Sequence, residues 1–77
     1  MTPDNLYTVY DKASLTYAPP FTSRNDATAK RSFAEMTKNH PYKNDMELYY
    51  IGRFWADTAQ IEMEEKKILI QTEEDNG

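Results

Sequence analysis

Between Met46 and Trp55 the sequence alternates for ten residues without a break. Met46, Leu48, Tyr50, Gly52 and Phe54 are non-polar apart from one hydroxyl, while Glu47, Tyr49, Ile51, Arg53 and Trp55 mix charge with rings. Period-two alternation is the mark of a β-strand with one face turned to a core. Such a strand must bury its even-numbered side chains against another layer, and the odd-numbered face is expected to stay partly wet. The chain around it is short. Seventy-seven residues make a thin core, because a chain this size hides only about 60% of the surface its unfolded form exposes. No cysteine is present and His40 is the only histidine, so neither a disulfide nor a zinc site built from several Cys or His ligands is available. That leaves tight packing or self-association, with a homodimer the favoured oligomer. Six Tyr, three Phe and one Trp are more rings than one thin core needs, so some are expected at an interface or on an open sheet face.

The layer that covers the strand is found upstream. Asp26 to Lys38 contains neither Gly nor Pro, and Ser23, Asn25 and Asp26 are candidate N-caps before it. At about 100° per residue, Ala29, Phe33 and Met36 fall within an arc of about 60°, flanked by Ser32 and Thr37. Lys30, Arg31 and Lys38 take the far side. Asn39-His40-Pro41 stops the helix, since the residue before proline avoids helical backbone. Ahead of the helix, Leu6–Tyr10 is β-branched and aromatic, Asp11–Ser14 is turn-like, and Leu15–Ala18 reads as a second extended piece continuing to Phe21. Pro19 and Pro20 lack N–H donors, which places the end of that piece on a sheet edge or outside the ladder. After Trp55, Ala56–Ala59 makes a turn and Gln60–Glu64 alternates as a returning strand. Glu65-Lys66-Lys67 breaks the pattern before Ile68–Ile70, an edge strand or partner-binding strip. The expected fold is α+β: strand-strand-helix-strand-strand, a two-layer domain over residues 1–72 with a small antiparallel or mixed sheet and one helix on one face. Residues 73–77 form an acidic terminus expected to be disordered. Gly52, in mid-strand, reads as a bulge or a close approach.

Charge is unevenly distributed. Residues 1–43 hold six Lys/Arg against four Asp/Glu, and residues 44–77 hold three against nine, which together give the net −4. No pairing of titratable groups, Gly-rich phosphate loop or zinc spacing is present, so no catalytic residue, metal ligand or cofactor is expected. His40 is assigned a structural role beside the helix end, and Glu62, Glu64 and Glu65 a solvated face. Binding is the better use of these residues. Arg24, Lys30, Arg31, Lys38 and Lys43 can form one positive surface around the helix, suited to phosphates. Tyr49 and Trp55, with Arg53 between them on the odd-numbered face, can form a platform for unpaired bases. The same rings would bury well against a second subunit, the use that the residues alone favour. Both uses stay open. No apolar run of about 18 residues is present to cross a membrane, and Met1–Asn5 does not resemble a signal peptide; the cytoplasm is the expected site.

Several segments together resemble the small nonstructural protein of the gokushoviruses, single-stranded DNA phages of the microvirus group. They are Tyr7-Thr8-Val9-Tyr10-Asp11-Lys12-Ala13-Ser14, then Pro20-Phe21 with Asn25-Asp26-Ala27-Thr28-Ala29-Lys30-Arg31-Ser32-Phe33. His40-Pro41, Glu47-Leu48-Tyr49 and Ile51-Gly52-Arg53-Phe54 complete the set. Their order and spacing over residues 7–61 carry the likeness. The resemblance implies a DNA-binding accessory, acting in the host bacterial cytoplasm in the switch from duplex replication to single-strand synthesis and packaging. Single-stranded DNA is the implied ligand, and a replication initiator, a capsid protein or a host factor the implied protein partner. No catalytic or binding residue is carried over. The sequence departs from the pattern after Phe54: relatives tend to have an acidic pair and a Thr-Gly turn, where this chain has Trp55-Ala56-Asp57-Thr58-Ala59. The acidic pairing that usually follows the His-Pro is missing as well. A left-handed turn position would here fall on a residue other than glycine.

Overall fold

The computed structural model describes residues 2–72, so the acidic terminus at 73–77 lies outside the described residues. The chain runs β1 (Asp4–Asp11), β2 (Thr16–Tyr17), β3 (Phe21–Ser23), α1 (Asp26–Thr37), a 3-10 turn at Lys43–Asp45, β4 (Met46–Trp55) and β5 (Gln60–Ile70). β1 is the hub. One of its sides pairs with β4, and the other with β2 at its C-terminal end and β3 at its N-terminal end. With β5 beyond β4, every pairing is antiparallel. The result is an α+β domain with one helix and a curled antiparallel sheet.

Local chemistry explains most of the boundaries. Leu15 is not extended as expected: it sits in the β1–β2 turn at φ 62, its N–H donating to the Asp11 carbonyl at 2.8 Å. Pro19 and Pro20 divide what would be one edge strand into β2 and β3, because neither can donate to the ladder. The Ala18 carbonyl before them accepts instead from the Thr8 hydroxyl, 2.7 Å away. Asn25 caps α1 through a capping box, accepting from the Thr28 N–H while the Thr28 hydroxyl accepts from the Asn25 N–H. Past the helix, the Nδ1 atom of His40 accepts from the Tyr42 N–H at 3.1 Å, shaping the turn towards β4.

The helix buries Ala29, Phe33 and Thr37, an i, i+4, i+8 stripe, and leaves Met36 half exposed. The place expected for Met36 is thus taken by Thr37. Its hydroxyl can go inside because it donates to the Phe33 carbonyl at 2.9 Å and brings no unpaired group with it. Under this stripe lie Tyr7 and Val9 of β1, Leu48 of β4 and Ile70 of β5, ringed by Phe21, Met46 and Tyr50. Tyr7 and Leu48 are fully buried.

The largest departure from expectation is at Ile51. Tyr7 pairs with Tyr50 and Leu6 with Gly52, so Ile51 is a bulge with no partner in β1. On the other side Tyr50 pairs with Ile68 and Gly52 with Met63, which sets Glu64–Lys67 opposite that one residue. A single inserted residue exchanges the faces of everything beyond it. Met46, Leu48 and Tyr50 face the helix as expected. Gly52 and Phe54, paired with Leu6 and Asp4, turn to the opposite face. Arg53 and Trp55 come round to the helix side. The same bulge makes β5 one element where two pieces separated by Glu65-Lys66-Lys67 were expected. The turn between β4 and β5 places Ala59 at φ 64, the position that the missing glycine would have filled. Among the described residues no helix is long and apolar enough to cross a membrane.

Candidate nucleic-acid interface

Lys30, Ala34 and Lys38 follow one another at i, i+4, i+8 along one flank of α1, so they share a line beside the buried stripe. The small Ala34 leaves room between the two lysines. The 3-10 turn brings Lys43 towards this flank, and the Lys12 N–H donates to the Asp45 carbonyl at 2.9 Å, drawing the β1–β2 turn alongside. Together Lys12, Lys30, Lys38 and Lys43 line an open cleft of about 690 Å³, with Phe33 and Met46 among its apolar lining. Among the described residues Glu47 is the one carboxylate on its wall, and it lies 3.7 Å from the Lys12 ammonium. Lys38 pairs with Glu35 at 3.5 Å, both exposed, and such a pair yields readily to a competing anion. Among the described residues Lys30 and Lys43 make no ion pair.

The structure therefore brings together three of the five basic residues singled out in the sequence. Arg31 is one position on from Lys30 and points about 100° away; it is exposed and does not line the cleft. Arg24 precedes the N-cap at the far end of the helix and does not line it either. Lys12 is the residue missed, since only the pairing of β1 with β4 brings its turn to the cleft.

The expected platform of Tyr49, Arg53 and Trp55 does not form. The bulge leaves Tyr49 on the face away from the helix and turns Arg53 and Trp55 to the other. Arg53 is engaged by its cross-strand neighbour, its Nη2 and Nε donating to Oε1 of Glu62 at 2.5 and 3.2 Å, and that pairing raises its pKa. Trp55 pairs with Gln60 where β4 enters the turn. In their place Tyr49 joins two residues from the first hairpin. Tyr10 and Tyr17 are cross-strand partners with ring centroids 4.5 Å apart, and Tyr17 lies 6.4 Å from Tyr49. The Lys67 ammonium stands 5.3 Å from the Tyr49 ring centre and 5.7 Å from that of Tyr17. Tyr49 donates to Oε1 of Glu47 at 3.0 Å. Burial, and then this bond, push its hydroxyl pKa above the ordinary value. Glu47 thus belongs to both regions.

The sequence model of the phage ORF5 protein family matches residues 4–75, nearly the whole chain. The chain belongs to the phage ORF5 protein family. No curated protein and no solved structure matches it. In this ORF5-family fold the lysine cleft can hold phosphates as point charges, with apolar walls that lower the local dielectric, and the tyrosine face offers flat rings beside a cation.

Proposed function

We propose that this ORF5-family protein binds nucleic acid, single-stranded DNA above all. It would serve as a nonstructural accessory to genome replication, single-strand synthesis or packaging in a phage of the gokushovirus type. The cleft carries this reading: among the described residues four lysines and one carboxylate line it in a chain whose net charge is −4. Non-specific binding to nucleic acid comes from phosphate neutralisation, which depends on local charge and not on the total. The test is fluorescence anisotropy of a labelled single strand against salt. Lys30→Glu with Lys43→Glu is expected to weaken binding at least about ten-fold at low salt and to flatten the salt slope by about 0.7 for each phosphate no longer neutralised. Unchanged affinity in that variant, or no binding by the native protein at about 50 mM salt, would sink the reading.

Self-association is a second reading, favoured by one feature. Ile61, Met63, Ile68 and Leu69 are all about half exposed, and all lie on β5, an edge strand of the sheet. Exposed apolar edges of this kind invite a partner strand. The order Glu64-Glu65-Lys66-Lys67 is self-complementary: two copies set antiparallel place the acidic pair of one beside the basic pair of the other. A homodimer is the occupant this favours, with a phage replication or capsid protein competing for the same edge. Light scattering should give twice the chain mass for the native protein and the single mass for Ile61→Lys with Met63→Lys. A monomeric native protein would remove the homodimer.

A further inference from the structure

We propose that Tyr10, Tyr17 and Tyr49, with Lys67, form a base-stacking subsite that holds an unpaired base of the strand whose phosphates occupy the lysine cleft. This rests on the nucleic-acid reading above and adds to it what the cleft cannot supply, a way to tell a single strand from a duplex.

Three observations meet here. The first is ring access. The three tyrosines lie on the sheet face opposite the helix, and Tyr17 comes from a two-residue edge strand and is 48% exposed. The second is the cation. Lys67 stands over two of the rings at once, so a base laid on Tyr17 meets an aromatic face and an ammonium together, the combination found in single-strand binding grooves. The third is continuity. Glu47 lines the cleft and accepts from the Tyr49 hydroxyl. Leu69 pairs across from Tyr49, lines the cleft and is half exposed. A strand leaving the cleft passes over this rim directly onto the tyrosines. Bases within a duplex are stacked and paired, and cannot lie flat on these rings without being extruded. The lysines would accept either form, whereas the tyrosines accept only unpaired bases.

Stacking and phosphate binding differ in their salt dependence, which separates the two regions experimentally. Oligothymidylate and an abasic oligonucleotide of equal length are titrated against the native protein, Tyr17→Ala, Tyr17→Phe and Lys30→Glu. The native protein should bind the thymidylate about ten-fold more tightly than the abasic strand, within the range for one stacked base. Tyr17→Ala should erase that preference and keep the salt slope, while Tyr17→Phe, which retains the ring, should keep both. Lys30→Glu should weaken both oligonucleotides by the same factor. Thermal melts followed by circular dichroism check that each variant folds. Equal affinity of the native protein for the two oligonucleotides overturns the stacking subsite and leaves the cleft reading intact. A preference that survives Tyr17→Ala in a folded variant overturns it too. Failure of both oligonucleotides to bind removes the cleft reading, and the subsite with it.

Discussion

β4 passes through two environments, and Ile51 is the border between them. Up to Tyr50 the strand lies in the core beneath α1, where Leu48 is fully buried against Tyr7, Val9, Phe33 and Ile70. Beyond Ile51 it pairs with Gln60–Met63 in a hairpin that adds no residue to that core, and Ile61 and Met63 are 53% and 59% exposed. Both candidate binding regions belong to the first half. The lysines of the cleft hang from the helix flank and from turns tied to the covered end of the sheet, and the tyrosines lie on its reverse side. A site that must hold side chains in fixed relation is best set on the part of the sheet whose backbone is pinned by packing. The outer hairpin is held by strand pairing, by the Arg53–Glu62 ion pair and by the close approach of Gly52. Its exposed apolar side chains remain free for another chain.

If the two halves differ in this way, equal truncations should have unequal effects. Leu48→Ala is expected to cost about 2–5 kcal/mol, read from urea denaturation, and Met63→Ala less than about 0.5 kcal/mol. Similar losses would erase the distinction. Gly52→Ala probes the border itself. A Cβ there would run into the Glu62 carbonyl oxygen and lie 3.1 Å from the Met63 Cα, backbone atoms that cannot step aside. Overpacking costs about 1–3 kcal/mol, offset by up to about 1 kcal/mol from the stiffer unfolded chain. The expected result is a modest net loss, with faster amide exchange over 53–55 and 60–63 and unchanged protection in 46–50. Loss of protection in both segments together would make the sheet one cooperative unit.

A smaller effect than that of Leu48→Ala is expected at the tie between β1 and the helix. Tyr7 donates to Oδ1 of Asp26 at 2.6 Å, and Tyr7→Phe should cost about 1 kcal/mol. Burial first, and then the bond to Asp26, push the Tyr7 hydroxyl from 10.0 up to about 12. The folded state keeps this proton where the unfolded chain releases it. Its stabilisation is therefore complete below pH 10 and lost as the pH rises towards 12. The stability difference between the native protein and Tyr7→Phe should shrink across that window. A constant difference would show that Tyr7 titrates alike in both states.

Local chemistry made much of this legible in advance. The bounds of β4, the helix beginning at Asp26 behind Asn25, the stop at His40-Pro41 and the edge position of Pro19-Pro20 all follow from residues a few positions apart. So does the strain in the turn after Trp55, which falls on Ala59. Helical periodicity also puts Lys30 and Lys38 on one side of α1, but on the far side and together with Arg31. In the fold they lie on the flank beside the buried stripe, and Arg31 lies outside the cleft.

Faces and neighbours across strands were decided by the fold. Gly52 flags a bulge or a close approach in mid-strand, but the alternation continues through Ile51 unbroken, and the odd residue appears only when β1 and β5 set the register from either side. That register separates Tyr49 from Arg53 and Trp55, and gives Tyr49 the company of Tyr10, Tyr17 and Lys67. Lys12 reaches the cleft for the same reason, through the pairing of β1 with a strand that starts 34 positions later at Met46. Periodicity reports which side of its own element a residue occupies. Which elements meet, and in what register, depends on hydrogen bonds and packing between segments distant in sequence, and only the folded chain settles them.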